Sequence, residues 1–218
     1  MAAVLTLYTY FRSSASYRVR IALELKSLAY EPVPVHLVRG GGEQHSAAFA
    51  ALNSAELVPV LGDDGLTITQ SLAIIEYLEE IHPVPSLLPG TAASRARIRA
   101  IAQLIACEIH PLNNLRVLQR LESKVGMDKE SRDCWYAHWV IEGFRALEAM
   151  LAGSADTGRF CHGDSPTMAD CCLVPQVYNA QRFAVSLEPY PTLRRINNAC
   201  LQLQAFQRAA PEAQADAA

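Results

Sequence analysis

The first 106 residues of this 218-residue chain contain no cysteine. All six cysteines, Cys107, Cys134, Cys161, Cys171, Cys172 and Cys200, fall in the second half, without a CxxC pair and with two adjacent in sequence. That distribution argues against a zinc ribbon or a disulfide framework, and the six read as free core thiols of a reducing compartment. Long apolar runs are also missing, since no uncharged stretch approaches the roughly 18 residues of a membrane span. Basic blocks are equally scarce: 19 Lys and Arg face 22 Asp and Glu, for a formal charge of −3. Nothing forms the cationic stripe that follows nucleic-acid phosphates. The opening MAAVLTLYTYF has no basic segment of the secretory type. A cytoplasmic protein is expected, with neither nucleic acid nor membrane as partner and no metal site.

What the chain does have is apolar residues, 50% of the total, enough at this length to bury a core. Val4 to Tyr10 roughly alternates apolar and polar positions, which predicts a strand ending near Phe11. After Arg12-Ser13-Ser14-Ala15-Ser16 the spacing of Tyr17, Ile21, Leu25 and Leu28 turns helical. Tyr30 to Leu37 reads as extended, and Pro32 and Pro34 put it near a sheet edge because they cannot donate to a ladder. Gly40-Gly41-Gly42 marks a loop; it lacks the strand-to-helix setting and the lysine of a phosphate loop. A short helix from Ser46 to Leu52, a strand Leu57 to Leu61, a turn at Asp63-Asp64-Gly65 and a strand Leu66 to Thr69 follow. A helix from Ser71 to Ile81 then stops at His82-Pro83.

The order is β-α-β-α-β-β-α over residues 1–83. Proline-rich residues 84–93 read as a linker, and no convincing strand appears in 94–218. There Ile98, Ile101, Leu104, Ile105 and Ile109 line one helical face, and Trp135 to Leu151 and Thr167 to Phe183 continue the helical pattern. Thr167-Met168-Ala169-Asp170 is an S/T-x-x-D capping pattern, assigned to folding and not to catalysis. The expected fold class is α/β plus all-α.

That arrangement resembles the cytosolic glutathione transferases, whose N-terminal thioredoxin-like domain is followed by an all-helical C-terminal domain. The run Tyr10-Phe11-Arg12-Ser13-Ser14-Ala15-Ser16-Tyr17-Arg18-Val19-Arg20-Ile21-Ala22-Leu23 is similar to the zeta-class signature, normally Ser-Ser-Cys-X-X-Arg-Val-Arg-Ile-Ala-Leu. The resemblance continues through residues 70–80, 167–177 and Pro189-Tyr190-Pro191, so it spans essentially the whole chain. It implies a homodimeric glutathione-dependent cis-trans isomerase of maleylacetoacetate or, alternatively, of maleylpyruvate. A zeta-type transferase acting on α-halo acids is the enzyme alternative, against which the departure at Ala15, where the signature has cysteine, counts. A non-catalytic binding module on the same fold would be expected to lose the Arg12-Ser13-Ser14 loop, which this chain keeps.

A thioredoxin-like domain without cysteine must receive its sulfur as a ligand, and the resemblance implies glutathione. Ser13 and Ser14 then become catalytic candidates, with a hydroxyl donating to a thiolate at a positive helix end; on the residues alone they are helix caps. Val58, before a Pro59 that the family keeps cis, should pair with the cysteinyl part. Gln70 and Ser71 should hold the γ-glutamyl carboxylate and His45 the glycyl carboxylate, with Asn114 a further cofactor contact. Arg12, Arg116 and Arg182 suit the acidic substrate ends because a guanidinium fork pairs with carboxylates. Arg18 and Arg20 read as structural or interfacial. Glu108 and His110 suit a core, a dimer interface or a site equally. The implied chemistry is thiolate addition to the cis double bond, rotation and expulsion, with glutathione regenerated.

Overall fold

The structure is a computed structural model that describes residues 4–217; the first three residues and Ala218, which open and close the two expected domains, lie outside the described residues. Strand β1, Leu5–Thr9, buries Leu5, Leu7 and Thr9 on one face, as its alternation requires. It is central. The sheet order is β2-β1-β3-β4, with β2 (Tyr30–Pro34) parallel to β1 and at the edge where its two prolines cost no ladder bond. β3 (Val60–Asp63) runs antiparallel to β1 and pairs with β4 (Leu66–Thr69). β3 begins at Val60, later than the expected Leu57, because Pro59 has no N–H to offer.

Helix α1 spans Ser14–Leu25, α2 Ala47–Leu52 and α3 Ser71–Ile81. α1 packs on α3 and buries Val19, Ile21, Ala22 and Leu23, while α3 buries Ile74, Ile75 and Leu78. The glycine run forms tight turns with φ of 59°, 88° and 110° at Gly40, Gly41 and Gly42, a left-handed path that side chains resist.

The described residues divide into two compact units, one reaching Leu87 and including the stretch from Leu201 onward, the other running from Leu88 to Cys200. The C-terminal stretch therefore goes with the sheet, although its place in the sequence puts it in the helical domain. Its helix packs on α1 and buries Phe206 and Ala209 completely.

The second unit contains α4 (Ala92–Gln103), a π-helical turn Leu104–Ile109, a 3-10 turn His110–Asn113, α5 (Leu115–Val125), α6 (Lys129–Ala152), α7 (Met168–Arg182) and α8 (Pro191–Leu201). The C-terminal helix of the first unit, Gln204–Ala209, is α9. α7 is the core helix, buried from Met168 to Val177. Its capping box closes with the Thr167 N–H donating to Asp170 Oδ2 at 2.8 Å, and the Cys161 N–H donates to Asp170 Oδ1 at 2.9 Å. Burial raises the Asp170 carboxyl above its usual range against those donors. Among the described residues no helix is long and apolar enough to cross a membrane.

Candidate active site

Strand pairing brings three chain segments to one end of the sheet. Tyr8 lies opposite Val60, and Val60 opposite Thr69. The end of β1, the start of β3 and the end of β4 are therefore adjacent, and with them the turn Tyr10–Ser13, the Val58-Pro59 step and Gln70-Ser71.

Ser13 is the N-cap of α1, with φ −70° and ψ 116°, and its Oγ accepts from the Ser16 N–H at 3.2 Å. The capping role expected of an isolated serine is real. It uses an oxygen lone pair and leaves the O–H as a donor, beside the first N–H groups of the helix and its positive dipole end. Ser14 is buried at the first helical position. Arg12 is exposed, its Nη2 donates to the Tyr10 hydroxyl at 3.1 Å, and its guanidinium sits 4.9 Å from the Phe11 ring centroid. A cation over an aromatic face is worth about 0.5–1 kcal/mol at an exposed site. Arg12 is thus held by its two preceding neighbours.

The Val58-Pro59 bond is cis, and Val58 lies just before the β3 ladder. Gln70 is exposed with φ 71° and ψ 116°, a conformation costly for a side-chain-bearing residue by roughly 1–3 kcal/mol. Ser71, buried at the first turn of α3, accepts from Arg18 Nη1 at 3.2 Å through its hydroxyl. A buried guanidinium therefore stands behind the N-terminus of α3, where helix amides already favour an anion. His45 fits its expected role less simply. Its Nδ1 lies 2.5 Å from Glu56 Oε2 and its Nε2 lies 3.0 Å from Gln44 Nε2, so a carboxylate of the chain already pairs with one of its ring nitrogens.

The remaining candidates belong to the helical unit. Asn114 is the N-cap of α5, its Oδ1 accepting the Arg116 N–H at 3.2 Å, and the Arg116 side chain is exposed in the first turn. Arg182 is exposed at the end of α7, with Nη1 3.4 Å from Asn179 Oδ1 and the guanidinium 5.9 Å from the Phe183 ring. Phe183 stacks on Tyr136 at 3.5 Å. Burial pushes the Tyr136 hydroxyl well up, with Arg182 opposing. Glu108 is exposed and His110 half-buried.

Arg18 and Arg20 read from the sequence as structural or interfacial, without a partner named for either. Their burial, 2% and 0% exposed, is the signal that they hold something.

Residues 7–86 match the family model for the glutathione S-transferase N-terminal domain, and residues 135–199 match that for the glutathione S-transferase C-terminal domain. A Vibrio cholerae protein named as a probable maleylacetoacetate isomerase is 53% identical, over 98% of each chain. A maleylpyruvate isomerase of a Ralstonia species is 49% identical over 97% of this chain and 99% of its own. Among solved structures, a holo maleylpyruvate isomerase described as a bacterial zeta-class glutathione S-transferase superposes with a TM-score of 0.95 at 48% identity, over 98% of this chain and 100% of that one. An Anaeromyxobacter dehalogenans maleylacetoacetate isomerase with glutathione in its active site gives 0.88 at 47% identity, over 100% and 99%.

Proposed function

The chain belongs to the glutathione S-transferase family, in its zeta class, and from that premise we propose that it is a glutathione-dependent cis-trans isomerase of maleylacetoacetate. The observation that carries the reading is Ser13 at the N-terminus of α1 in a domain that contains no thiol of its own. Maleylpyruvate is the second reading, favoured by the structural likeness at a TM-score of 0.95.

The residues present fit glutathione. Gln70 is exposed beside the buried Ser71, and the Arg18 guanidinium behind Ser71 suits a carboxylate at the start of α3. Val58 precedes the β3 ladder with backbone groups that can pair with an extended peptide. When bound, glutathione supplies a thiolate that adds reversibly to the double bond and leaves unchanged.

Ser13 donates its O–H to the sulfur, and the N-terminal amides of α1 add positive potential, so that the thiol ionises at lower pH. Gln70 and Ser71 bind the γ-glutamyl end. His45 carries a smaller share, since Glu56 competes for it. Arg12 offers the free edge of its guanidinium to a substrate carboxylate or to charge that develops at the ketone, a donor role worth about 3 kcal/mol in a preorganised site. Arg182 and Arg116 are the cations proposed for the other acidic end, and Asn114 the further cofactor contact. A homodimer in the cytoplasm completes the reading; elution at the mass of one chain would contradict the dimer.

Ultraviolet absorbance reports isomerisation of maleylpyruvate or maleylacetone. Turnover is expected only with glutathione present, and turnover that persists after its complete removal would overturn the proposal. The ratio of kcat/KM for maleylacetoacetate and maleylpyruvate decides between the two substrates.

A further inference from the structure

We propose that Asp216 and Arg20 are positioning residues for this reaction, holding the backbone N–H and C=O of Phe11 and so fixing the turn that presents Arg12 and Ser13. The inference rests on the role given to Ser13 above. β1 ends at Thr9 and α1 begins at Ser14, so the chain turns from sheet into helix within four residues. One bond inside that turn, Ser13 N–H to Tyr10 C=O at 2.9 Å, closes it. Both backbone groups of Phe11 reach outside it.

The Phe11 N–H donates to Asp216 Oδ2 at 3.0 Å, across 205 residues of sequence. The Phe11 C=O accepts from Arg20 Nη2 at 2.9 Å. Arg20 also donates through Nη1 to Thr9 Oγ1 at 3.1 Å and to the Tyr10 C=O at 3.3 Å, and through Nε to the Ala209 C=O at 2.9 Å. One guanidinium therefore touches the last residue of β1, the first two residues of the turn and the end of α9. It is fully buried. Burial lowers its pKa to about 10, with Tyr30, Tyr17 and Asp216 opposing, so it stays charged at neutral pH. The Tyr17 hydroxyl donates to the Phe206 C=O at 3.4 Å and adds a further tie between α1 and α9.

These contacts bear on chemistry because of what Phe11 carries. Its ring lies under the Arg12 guanidinium, and its C=O leads directly into Arg12 and Ser13. A site must be held to within about 0.5 Å of its productive geometry by residues that are themselves fixed. Tyr10 and Phe11 support Arg12, and Arg20 and Asp216 support Tyr10 and Phe11. The C-terminal segment thus acts as a strap on the turn, with Asp216 as its contact to Phe11.

Asp216→Ala tests this without touching the buried Arg20, whose loss could unfold the unit. Asp216→Asn keeps an acceptor oxygen and serves as the conservative variant. Three readouts are needed: hydrogen exchange of the peptide covering Tyr10 to Ser13, ultraviolet titration of the bound glutathione thiol, and separate kcat and KM values. Asp216→Ala is expected to speed exchange at Phe11 about tenfold and lower kcat roughly three- to tenfold, the ordinary weight of one hydrogen bond. The bound thiol pKa should rise by about half a unit, with KM for glutathione within about twofold, and Asp216→Asn should recover most of both losses. Unchanged exchange in Asp216→Ala would overturn the strap. Faster exchange with unchanged kcat and thiol pKa would leave it a folding contact and overturn the positioning role. Ser13→Ala in parallel isolates the premise: if that variant keeps the wild-type thiol pKa, the Ser13 role fails, while exchange and kcat in Asp216→Ala still decide whether the strap positions the turn.

Discussion

At Ser13 the capping bond and the proposed catalytic one use different parts of the same hydroxyl. The oxygen accepts from Ser16, and the hydrogen is left to donate. Ser13→Ala should therefore do two things: cost about 1 kcal/mol of stability as a lost cap, and raise the bound thiol pKa with a fall in turnover larger than the fall in glutathione affinity. An unchanged thiol pKa, with only the stability loss, would make Ser13 a cap. Gln70 should respond in the opposite sense. Gln70→Gly relieves the positive φ and should gain about 1 kcal/mol in urea unfolding, while glutathione affinity falls and kcat at saturation changes little. A loss of stability in that variant would show that the Gln70 side chain itself supports the fold. The sequence made Ser13, Gln70 and Arg12 visible as candidate site residues only through the extended run around them. Arg20 was legible as structural or interfacial but its partners were not, because one carbonyl that it meets lies in a segment some 190 residues away.

Helix ends carry much of the first unit's polar order. Lys26 is the C-cap of α1, and its Nζ donates to Glu79 Oε2 at 2.7 Å and to the carbonyls of His82 and Pro85 at 2.7 and 2.8 Å. Glu79 also accepts from the Leu87 N–H at 2.8 Å and the Ser86 hydroxyl at 2.5 Å. One ion pair thus ties α1, α3 and the segment leaving α3. Burial alone would raise the Glu79 pKa, but the Leu87 N–H, Lys26 and Ser86 overcome it and hold the carboxyl below its usual range. A carboxyl with a lowered folded pKa contributes stability that is complete above the unfolded value, about 4.3, and disappears as pH falls through the folded one. Urea unfolding should show that acid-limb loss in wild type and a flatter limb in Glu79→Gln. Lys26→Met should cost roughly 3–5 kcal/mol because it strands a buried carboxylate, and adding Glu79→Leu should recover part of it. Additive losses would mean the two residues act independently.

Elements with clean periodicity, such as β4 and α3, have the bounds their patterns predict. The apolar face from Ile98 to Ile109 does not continue as one α-helix. It loosens into the π turn and tightens at His110–Asn113, where Pro111 has no N–H to offer the Cys107 carbonyl. Gly143 of α6 faces that turn, and a methyl group there would collide with Ile109. Periodicity carries no trace of such a close approach.

Across the whole molecule the thiols divide by unit and by exposure. The sheet-bearing unit has none, while the helical unit holds Cys161, Cys171, Cys172 and Cys200 buried; Cys107 and Cys134, expected in the core with them, are exposed because their helical positions face away from it. Burial pushes the Cys161 and Cys200 thiols far above their usual range, with Asp170 adding to it, so neither forms a thiolate at neutral pH. The absence of cysteine before residue 107 was legible at once, and it is the feature that makes an external sulfur necessary; the attachment of the C-terminal stretch to the first unit was not, because a short amphipathic helix reads alike whichever core it faces. If the reacting sulfur belongs to glutathione, no protein thiol is needed for turnover. Iodoacetamide applied to native protein freed of glutathione should therefore add two groups, at Cys107 and Cys134, and after unfolding six, as intact-mass measurement would read. Once reagent is removed and fresh glutathione supplied, the doubly alkylated protein should isomerise at the rate of the untreated one. Activity that falls in step with alkylation, and is protected in a Cys107→Ser, Cys134→Ser double variant, would place a working thiol in the helical unit and remove the reason for assigning the chemistry to Ser13 and a bound tripeptide.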